Sequence, residues 1–303
     1  MEKRTLGKTG MSVTVLGFGG AEIGFEKAAQ ETVNSLLNSA LDAGLNVVDT
    51  AAAYPQSEAK IGAAIGGRRG EFFLFTKCGN SMSGDDQHWN AKAIAASIDR
   101  SLADLGTDHV DLVQLHSCSA EILKNGEAIA ALERARNAGK TRFIGYSGEN
   151  DAALYAVECG AFDTLQISIN IADQRSIETI LPKAKAAQMG VIAKRPIANA
   201  AWKTGAKPAN AYHHAYWDRL QHLDYDFLGL ALTGRDLEES ISIALRFTLA
   251  QEGVATAIVG TKHPERWKAN AKLLEAGPLD PAMIAKIRAR WNEVARADWA
   301  GQI

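Results

Sequence analysis

Four residues carry side chains that could together move a proton to or from a carbonyl oxygen: Asp49, Tyr54, Lys77 and His116. A phenol has a pKa near 10 in water, so it is a poor acid at neutral pH unless a nearby cation favours the phenolate. The ammonium group of Lys77 could act in this way on Tyr54, and Asp49 would keep that ammonium charged. A neutral His116 would direct the substrate oxygen. The set suits a reaction in which Tyr54 is the general acid while a hydride reaches the carbon.

The same residues also fit a simpler explanation, in which Asp49 and Lys77 form an ion pair that only supports the fold. Spacing along the chain does not separate these two possibilities. Other chemistries have no pattern in the sequence, which contains no CxxC pair, HExxH or P-loop and no GxSxG serine. We therefore predict no metal site and no nucleophilic serine.

Three of the four residues stand where apolar, strand-like runs end. Asp49 ends a run that begins at Val47, and Lys77 and His116 follow two later runs. The carboxyl ends of the strands of an α/β barrel form one face, on which active sites are built. These side chains are therefore expected to meet if the runs are strands of one barrel.

The segments between these runs alternate between helix and strand. Apolar residues recur at helical spacing over residues 30–43 and Gly44 follows as a stop, while Ser57 is expected to cap the next helix. About eight such units in 303 residues predict an α/β fold, a (β/α)8 TIM barrel with an N-terminal β-hairpin. We expect a single domain over residues 1–303.

The predicted elements follow from these periodicities and from glycine and proline stops. An aromatic-rich stretch at about 197–237 lacks clear periodicity and is predicted to be a long loop insertion that carries function. The predicted strands after the hairpin are 13–16, 47–49, 72–76, 110–115, 143–146, 164–169, 191–193 and 256–259. The predicted helices are 30–43, 57–65, 94–105, 120–138, 151–160, 176–188, 238–250, 264–274 and 280–297.

Composition excludes several classes of partner. A formal net charge of -2 gives no broad basic field for nucleic acid or an anionic membrane surface. The three cysteines form no CxxC pair, which favours a reducing compartment, and we expect a cytoplasmic protein. No apolar run approaches the roughly 18 residues of a spanning helix, and the amino terminus lacks the apolar core of a signal peptide. Without a heptad repeat, a monomer is the expected state.

Several motifs recur in an order that resembles the aldo-keto reductase family of NAD(P)H-dependent (β/α)8 oxidoreductases. They are LGKTGMSVTVLGFGG, NVVDTAAAYPQSEAKIG, FFLFTK, DLVQLH and AIVGTKHPERWKAN, and together they span nearly the whole chain. The resemblance implies a catalytic tetrad of Asp49, Tyr54, Lys77 and His116. In the first motif, Gly19 and Gly20 would let backbone approach a ligand, although a tight turn explains them equally well.

The resemblance also implies residues that hold the nicotinamide end of NADP. Ser147 and Gln166 match the positions that bind its carboxamide. The family usually has asparagine after that serine, whereas this chain has Gly148. Lys194 stands where many members place an aromatic residue that stacks on the nicotinamide. Lys194 and Arg195 could pair with acids of the long loop, but we favour contacts with cofactor phosphates.

The last motif matches the family's contacts with the adenosine end of the cofactor, and the helix that opens near Pro264 would add backbone N–H donors. Two cations in this motif favour NADPH over NADH, because a cation suits the 2′-phosphate, although a solvated basic turn is the alternative. The implied cofactor residues of this motif are Gly260, Thr261, Lys262, Arg266 and Asn270.

The leading hypothesis from the sequence is an NADPH-dependent reductase of small carbonyl compounds, aldehydes or ketones, with Tyr54 as the general acid. The alternative is an NADP(H)-binding regulatory or sensor protein on the same scaffold with little turnover. The altered surroundings of the nicotinamide at Gly148 and Lys194 motivate that alternative. The sequence does not identify the substrate.

Overall fold

A closed barrel of eight parallel strands forms the centre of the protein in the computed structural model, which describes residues 1–80, 89–228 and 234–302. A two-stranded antiparallel hairpin precedes it, so the predicted (β/α)8 barrel with an amino-terminal hairpin is confirmed. The hairpin strands are β1 (Lys3–Thr5) and β2 (Ser12–Thr14). The barrel strands are β3 (Leu16–Gly19), β4 (Val47–Asp49), β5 (Phe73–Cys78), β6 (Val110–His116), β7 (Thr141–Ser147), β8 (Thr164–Ser168), β9 (Gly190–Lys194) and β10 (Val254–Gly260).

Barrel neighbours follow sequence order from β3 to β9, and β10 closes the ring between β9 and β3. Helices cover the outside of the barrel, and short 3₁₀ turns lie at Gly7–Thr9, Gly66–Glu71, Ala198–Ala200, Ala211–His213 and Leu274–Ala276. The α-helices are α1 (Ala21–Phe25), α2 (Gln30–Asp42), α3 (Ser57–Ile65), α4 (Ala91–Leu105), α5 (Ala120–Asn125), α6 (Glu127–Asn137), α7 (Asn150–Glu158), α8 (Arg175–Thr179), α9 (Leu181–Ala186), α10 (His214–Leu223), α11 (Gly234–Leu249), α12 (Arg266–Leu273) and α13 (Pro281–Val294). Within the three described ranges, no helix is both long and apolar enough to cross a membrane.

Side chains alternate along each barrel strand between the helix layer and the barrel interior, as the pleat requires. In β9, Val191 and Ala193 pack in the core beneath the helices, whereas Ile192 packs inside the barrel. Lys194 follows and therefore points inward at the carboxyl end. By the same alternation Phe75 lies inside the barrel and Lys77 lies above it. Each strand thus delivers an inward residue to the mouth of the barrel.

The hairpin covers the opposite end of the barrel. Leu6 and Val13, both fully buried, pack with the inward side chains of Phe75 and Ile192. The turn between the hairpin strands passes so close to β9 that a Cβ at Gly7 would lie 2.2 Å from the Gly190 nitrogen. Gly7 also has a φ of +49°, which only glycine adopts at little cost. The floor is therefore apolar and closed.

Two helices are predicted to be continuous, and this is wrong because each is divided into two helices in the structure. The predicted helix at 120–138 breaks at Gly126, whose φ of +80° separates α5 from α6. The predicted helix at 176–188 breaks at Ile180, after which α9 begins with Pro182 in its first turn. A proline lacks the N–H that would bond back into the preceding turn, so α8 ends there.

The predicted loop insertion at about 197–237 is wrong as a purely irregular segment, because it contains the ten-residue helix α10. This helix buries Tyr216, Leu220 and Leu223 in a core beside the barrel. Full burial of such side chains contributes roughly 1.5–3 kcal/mol each. Packing therefore stabilises this helix even though its apolar residues show only weak periodicity. Residues 229–233 of the predicted insertion lie outside the described residues.

Ser57 does not cap a helix as predicted, since it is the first helical residue of α3. Its hydroxyl donates a hydrogen bond to the Gly20 carbonyl at 2.8 Å and accepts one from the Thr50 hydroxyl at 2.9 Å. Gly20 in turn donates its N–H to the Asp49 carbonyl at 2.7 Å. Ser57 therefore links α3 to the ends of two barrel strands. Its hydroxyl is not used to accept a hydrogen bond from an N–H group at the start of its own helix.

Candidate active site

A buried ion pair between Lys77 and Asp49 lies at the centre of the barrel mouth. The Lys77 Nζ is 2.5 Å from the Asp49 Oδ2 and donates a second hydrogen bond to the Thr50 carbonyl at 2.9 Å. The two side chains are 2% and 1% exposed. Burial by itself would lower the pKa of Lys77, but the carboxylate of Asp49, assisted by Tyr54, outweighs burial and raises the pKa overall. The ammonium is therefore a fixed charge beneath the mouth.

Tyr54 lies above this pair, in the turn between β4 and α3. The Lys77 Nζ is 5.1 Å from the centroid of the Tyr54 ring, and the His116 ring meets it edge-on at 5.6 Å. We expected the ammonium to lower the pKa of Tyr54; burial raises that pKa more than Lys77 lowers it. Tyr54 is therefore protonated at neutral pH, which is the state that a proton donor requires.

His116 is neutral in this environment. Burial lowers its pKa well below the ordinary value, and the positive charges of Lys77 and Lys194 lower it further. Its Nδ1 atom is buried and has no hydrogen-bond partner among the described residues. A neutral imidazole beside the Tyr54 ring can donate or accept a hydrogen bond without competing with Tyr54 for the proton.

Inward polar groups on β6, β7 and β8 continue this layer and leave hydrogen-bonding capacity unused. The Gln114 Nε2 lies 3.4 Å from the Asp49 Oδ1 and 3.3 Å from the Gln166 Oε1. The Ser147 hydroxyl and the Gln166 Nε2 are buried and have no protein partner within the described residues. Buried polar atoms are normally paired, so these atoms fit a ligand that carries an amide. Sequence reasoning missed Gln114, although it stands two residues before His116 and hence on the same inward face.

The structure explains why glycine follows Ser147. A Cβ at Gly148 would lie 2.3 Å from the hydroxyl oxygen of Tyr146 and 2.5 Å from its Cζ. Tyr146 is fixed in place, being 1% exposed and donating its hydroxyl to the Cys118 carbonyl at 2.7 Å. The tyrosine ring thus takes the space that a side chain at position 148 would need.

Glu149 is a buried acid that contacts Ser168, Lys194 and Arg195, and sequence reasoning missed it. Its carboxylate accepts hydrogen bonds from the Ser168 N–H and hydroxyl and lies 3.1 Å from the Lys194 Nζ. The Arg195 guanidinium is 3.4 Å from the same oxygen, and it also donates to the Gln302 carbonyl at 2.8 Å. The acid that pairs with Lys194 and Arg195 therefore follows β7, outside the long insertion. Its position two residues beyond a strand end was the available signal.

Glycines connect the tetrad to the last motif across three neighbouring strand ends. Gly19 pairs in register with Asp49 on one side and with Gly260 on the other. A Cβ at Gly260 would fall 1.6 Å from a carboxylate oxygen of Glu22, so the Glu22 side chain lies directly against this glycine. A ligand could approach the backbone at Gly260 closely only if the Glu22 side chain moved away.

The remaining residues of the last motif lie between this edge and α12. Thr261 accepts a hydrogen bond from the His263 N–H at 3.0 Å, and Lys262 pairs with Glu26 at 2.8 Å. Arg266 begins α12 and is exposed, and its guanidinium has no ion-pair partner in the described part of the chain. Asn270 is buried one turn later. The helix begins two residues after Pro264, with Glu265 preceding it.

No group of three or more histidine, cysteine or acidic residues in the described ranges is arranged to hold a metal ion. The functional groups of the mouth are thus a phenol, an ammonium, an imidazole and unpaired amide and hydroxyl groups. These groups can bind and protonate an oxygen, and they can hold an amide-bearing ring beside it.

The chain is similar to known oxidoreductases over nearly its whole length. It is 28% identical to the uncharacterized oxidoreductase YqkF of Bacillus subtilis over 97% of both chains. It is 26% identical to the L-galactose dehydrogenase of Arabidopsis thaliana over 100% of this chain and 98% of that protein. Among solved structures, the holo form of aldo-keto reductase AKR11C1 from Bacillus halodurans has a TM-score of 0.83 at 27% identity and covers 99% of each chain.

A family model described as the aldo/keto reductase family matches residues 15–292, which include all eight barrel strands. This match and the similarity to oxidoreductases agree with the groups at the barrel mouth, which can bind and protonate an oxygen. The chain belongs to the aldo-keto reductase family and is an NAD(P)H-dependent oxidoreductase.

Proposed function

We propose that this protein reduces small aldehydes or ketones with NADPH and catalyses the reverse oxidation of alcohols. The observation that carries the proposal is the protonated Tyr54, with the Lys77–Asp49 ion pair beneath it and the neutral His116 beside it. When bound, NADPH would supply the hydride for the carbonyl carbon. The protein must then deliver one proton to the carbonyl oxygen.

Tyr54 is the proton donor in this proposal. As its proton leaves, negative charge develops on the phenol oxygen, and the adjacent Lys77 ammonium stabilises that charge. Asp49 keeps the ammonium in place, so no group has to reorganise during transfer. His116 donates a hydrogen bond that orients the carbonyl oxygen toward Tyr54. In the oxidation direction the Tyr54 phenolate accepts the proton, so oxidation is favoured as the pH rises.

The cofactor residues divide between the two ends of the mouth. The unpaired Ser147 hydroxyl and Gln166 amide would bind the carboxamide of the nicotinamide. The glycine backbone at Gly19, Gly20 and Gly260 would lie against the middle of the cofactor once Glu22 moves aside, and Thr261 and Asn270 would bind the adenosine end. The exposed guanidinium of Arg266, together with Lys262, would bind a 2′-phosphate, which favours NADPH over NADH.

The names of two relatives bear on the substrate. The L-galactose dehydrogenase and the D-threo-aldose 1-dehydrogenase of a Pseudomonas species, which is 27% identical, are named for sugars. Hydroxylated aldehydes and their alcohols therefore belong in the substrate panel. The half-exposed Phe25 ring, 5.5 Å from the Tyr54 ring, offers an apolar wall at the entrance to the mouth. The cytoplasmic location, the monomeric state and the single domain stay predictions.

The test is reduction of 4-nitrobenzaldehyde by NADPH with the wild-type protein and the variant Tyr54→Phe. Loss of a general acid typically lowers the rate by about 100-fold to 10,000-fold, while NADPH binding should stay within a few-fold. Tyr155→Phe is the matched control. This tyrosine also has a lysine, Lys124, over its ring, but it lies on α7 in the outer helix layer. Wild-type turnover by Tyr54→Phe would refute the role of Tyr54. Tight NADPH binding by the wild type without turnover of any aldehyde would favour the sensor alternative.

A further inference from the structure

The barrel mouth carries an excess of positive charge at the end of β9. Lys194 and Arg195 both face the single carboxylate of Glu149, at 3.1 Å and 3.4 Å. Nearby, Arg219 lies 3.7 Å from Asp173, whose burial raises its pKa to about 7, so this carboxyl group neutralises only part of the Arg219 charge at neutral pH. The local charge of this cluster is therefore positive.

Lys194 brings this charge into the mouth. It is paired in register with Ser168 and points inward, in alternation with Ile192 in the barrel interior. Lys194 is close enough to Asp49 and His116 to affect the pKa of both side chains. Its own side chain is only 14% exposed, so water screens the charge weakly. Glu149 holds the ammonium in place through its bonds to Ser168.

The proposed function fixes where the nicotinamide would lie, and the inference rests on it. Hydride transfer requires the ring to lie against a carbonyl group whose oxygen contacts Tyr54 and His116. The unpaired groups that suit the carboxamide are Ser147 and Gln166, on β7 and β8. Lys194 stands on β9, the next strand, so its ammonium is beside the same region of the mouth.

We propose that Lys194 makes this protein bind NADPH more tightly than NADP⁺, by placing a positive charge beside the nicotinamide ring. The oxidised ring carries a positive charge and the reduced ring is neutral, while the phosphates of the two forms are identical. A buried ammonium therefore repels one form and leaves the other unaffected. The expected consequences are tight capture of NADPH and easier release of NADP⁺ after turnover.

The size of the effect follows from the charges in the mouth. Two unit charges roughly 7 Å apart, at an effective dielectric constant near 20, change an equilibrium by roughly fiftyfold. Glu149 opposes part of this field, and the Asp49–Lys77 pair contributes little net charge. Removing the Lys194 charge should therefore lower the ratio of NADPH affinity to NADP⁺ affinity by about tenfold.

The test measures dissociation constants of NADPH and NADP⁺ for the wild type and Lys194→Met at pH 7, by quenching of protein fluorescence and by calorimetry. Lys194→Met should lose most of the preference for NADPH. Lys194→Arg keeps the charge and should keep the preference, which separates charge from packing. Lys262→Met is the matched control, because it removes a cation at the adenosine end and should weaken both forms equally.

The outcomes separate this inference from the proposed function. Tighter binding of NADPH by the wild type, reduced about tenfold by Lys194→Met and retained by Lys194→Arg, would support it. An equal ratio of NADPH affinity to NADP⁺ affinity in the wild type and in Lys194→Met would overturn this inference, but it would not contradict the proposed carbonyl reduction. Failure of the wild type to bind either nucleotide would overturn both. Thermal unfolding of each variant shows whether a loss of binding reflects a loss of folding.

Discussion

Replacement of Gly148 by asparagine, the residue usual in the family, is expected to destabilise this protein. A side chain at position 148 would begin 2.3 Å from the hydroxyl oxygen of Tyr146 and 2.6 Å from its Cε1. Both distances are far shorter than van der Waals contact, so either the ring or the backbone after β7 has to move. Tyr146 is buried on the helix side of the barrel, where its ring packs beside that of Phe162.

The size of the loss follows from two contributions. Overpacking of a filled core costs about 1–3 kcal/mol. Displacing Tyr146 also breaks the 2.7 Å hydrogen bond from its hydroxyl to the Cys118 carbonyl, which contributes about 1 kcal/mol. We expect Gly148→Asn to lower the free energy of unfolding by about 3 kcal/mol.

Urea unfolding of the wild type and Gly148→Asn would measure this loss. The matched control is Gly70→Asn, because a Cβ at this exposed glycine meets nothing within 4 Å. In a Tyr146→Ala background, which already removes the ring, Gly148→Asn should cost far less. Gly148→Asn with the stability of the wild type would refute the reasoning, as would an equal loss in both backgrounds.

The remaining predictions concern the ion pair and the thiols. Asp49→Asn leaves the Lys77 ammonium buried without a counter-charge and should cost about 3–5 kcal/mol in urea unfolding at pH 8. Because the folded-state pKa of Lys77 is raised, the stability that its ammonium contributes should be lost above about pH 10, as the pH rises through that raised pKa, and because burial raises the pKa of Asp49, the pair should also be lost as acid protonates Asp49; a pH-independent loss would contradict this. Burial raises the pKa of Cys118 to about 12 and that of Cys78 as well, so a thiol reagent should label Cys159 first in native protein and all three cysteines after unfolding. Rapid labelling of either buried thiol in native protein would show that the strand ends open.

The barrel and the tetrad were predictable because their signals are local. The run from Val47 to Asp49 shows both a buried strand and its polar end within a few residues. Lys77 and His116 repeat that signal, and the carboxyl-end rule of barrels then brings all three to one face. Their assembly beside Tyr54 then follows from the barrel topology alone.

The missed features depend on relations between strands or on single backbone angles. Glu149 is a hub only because β8 and β9 present Ser168 and Lys194 to it, and no local pattern encodes that register. The division of α5 from α6 depends on a positive φ at Gly126, which a helical apolar pattern conceals. The packing of α10 against a separate core likewise cannot be read from its own weak periodicity.

The amino-terminal hairpin has a consequence for how the protein is made. Arg4 donates hydrogen bonds to the carbonyls of Leu249 and Val254, which are separated from it by 245 and 250 residues. At a synthesis rate of roughly 5–20 residues per second, these partners emerge from the ribosome about 10 to 50 s after the hairpin. The apolar side chains that close the floor of the barrel, such as Leu6 and Val13, remain exposed to solvent for that time. The hairpin is therefore synthesised well before the carbonyl groups that Arg4 binds, and its contacts with the rest of the barrel are among the last to form.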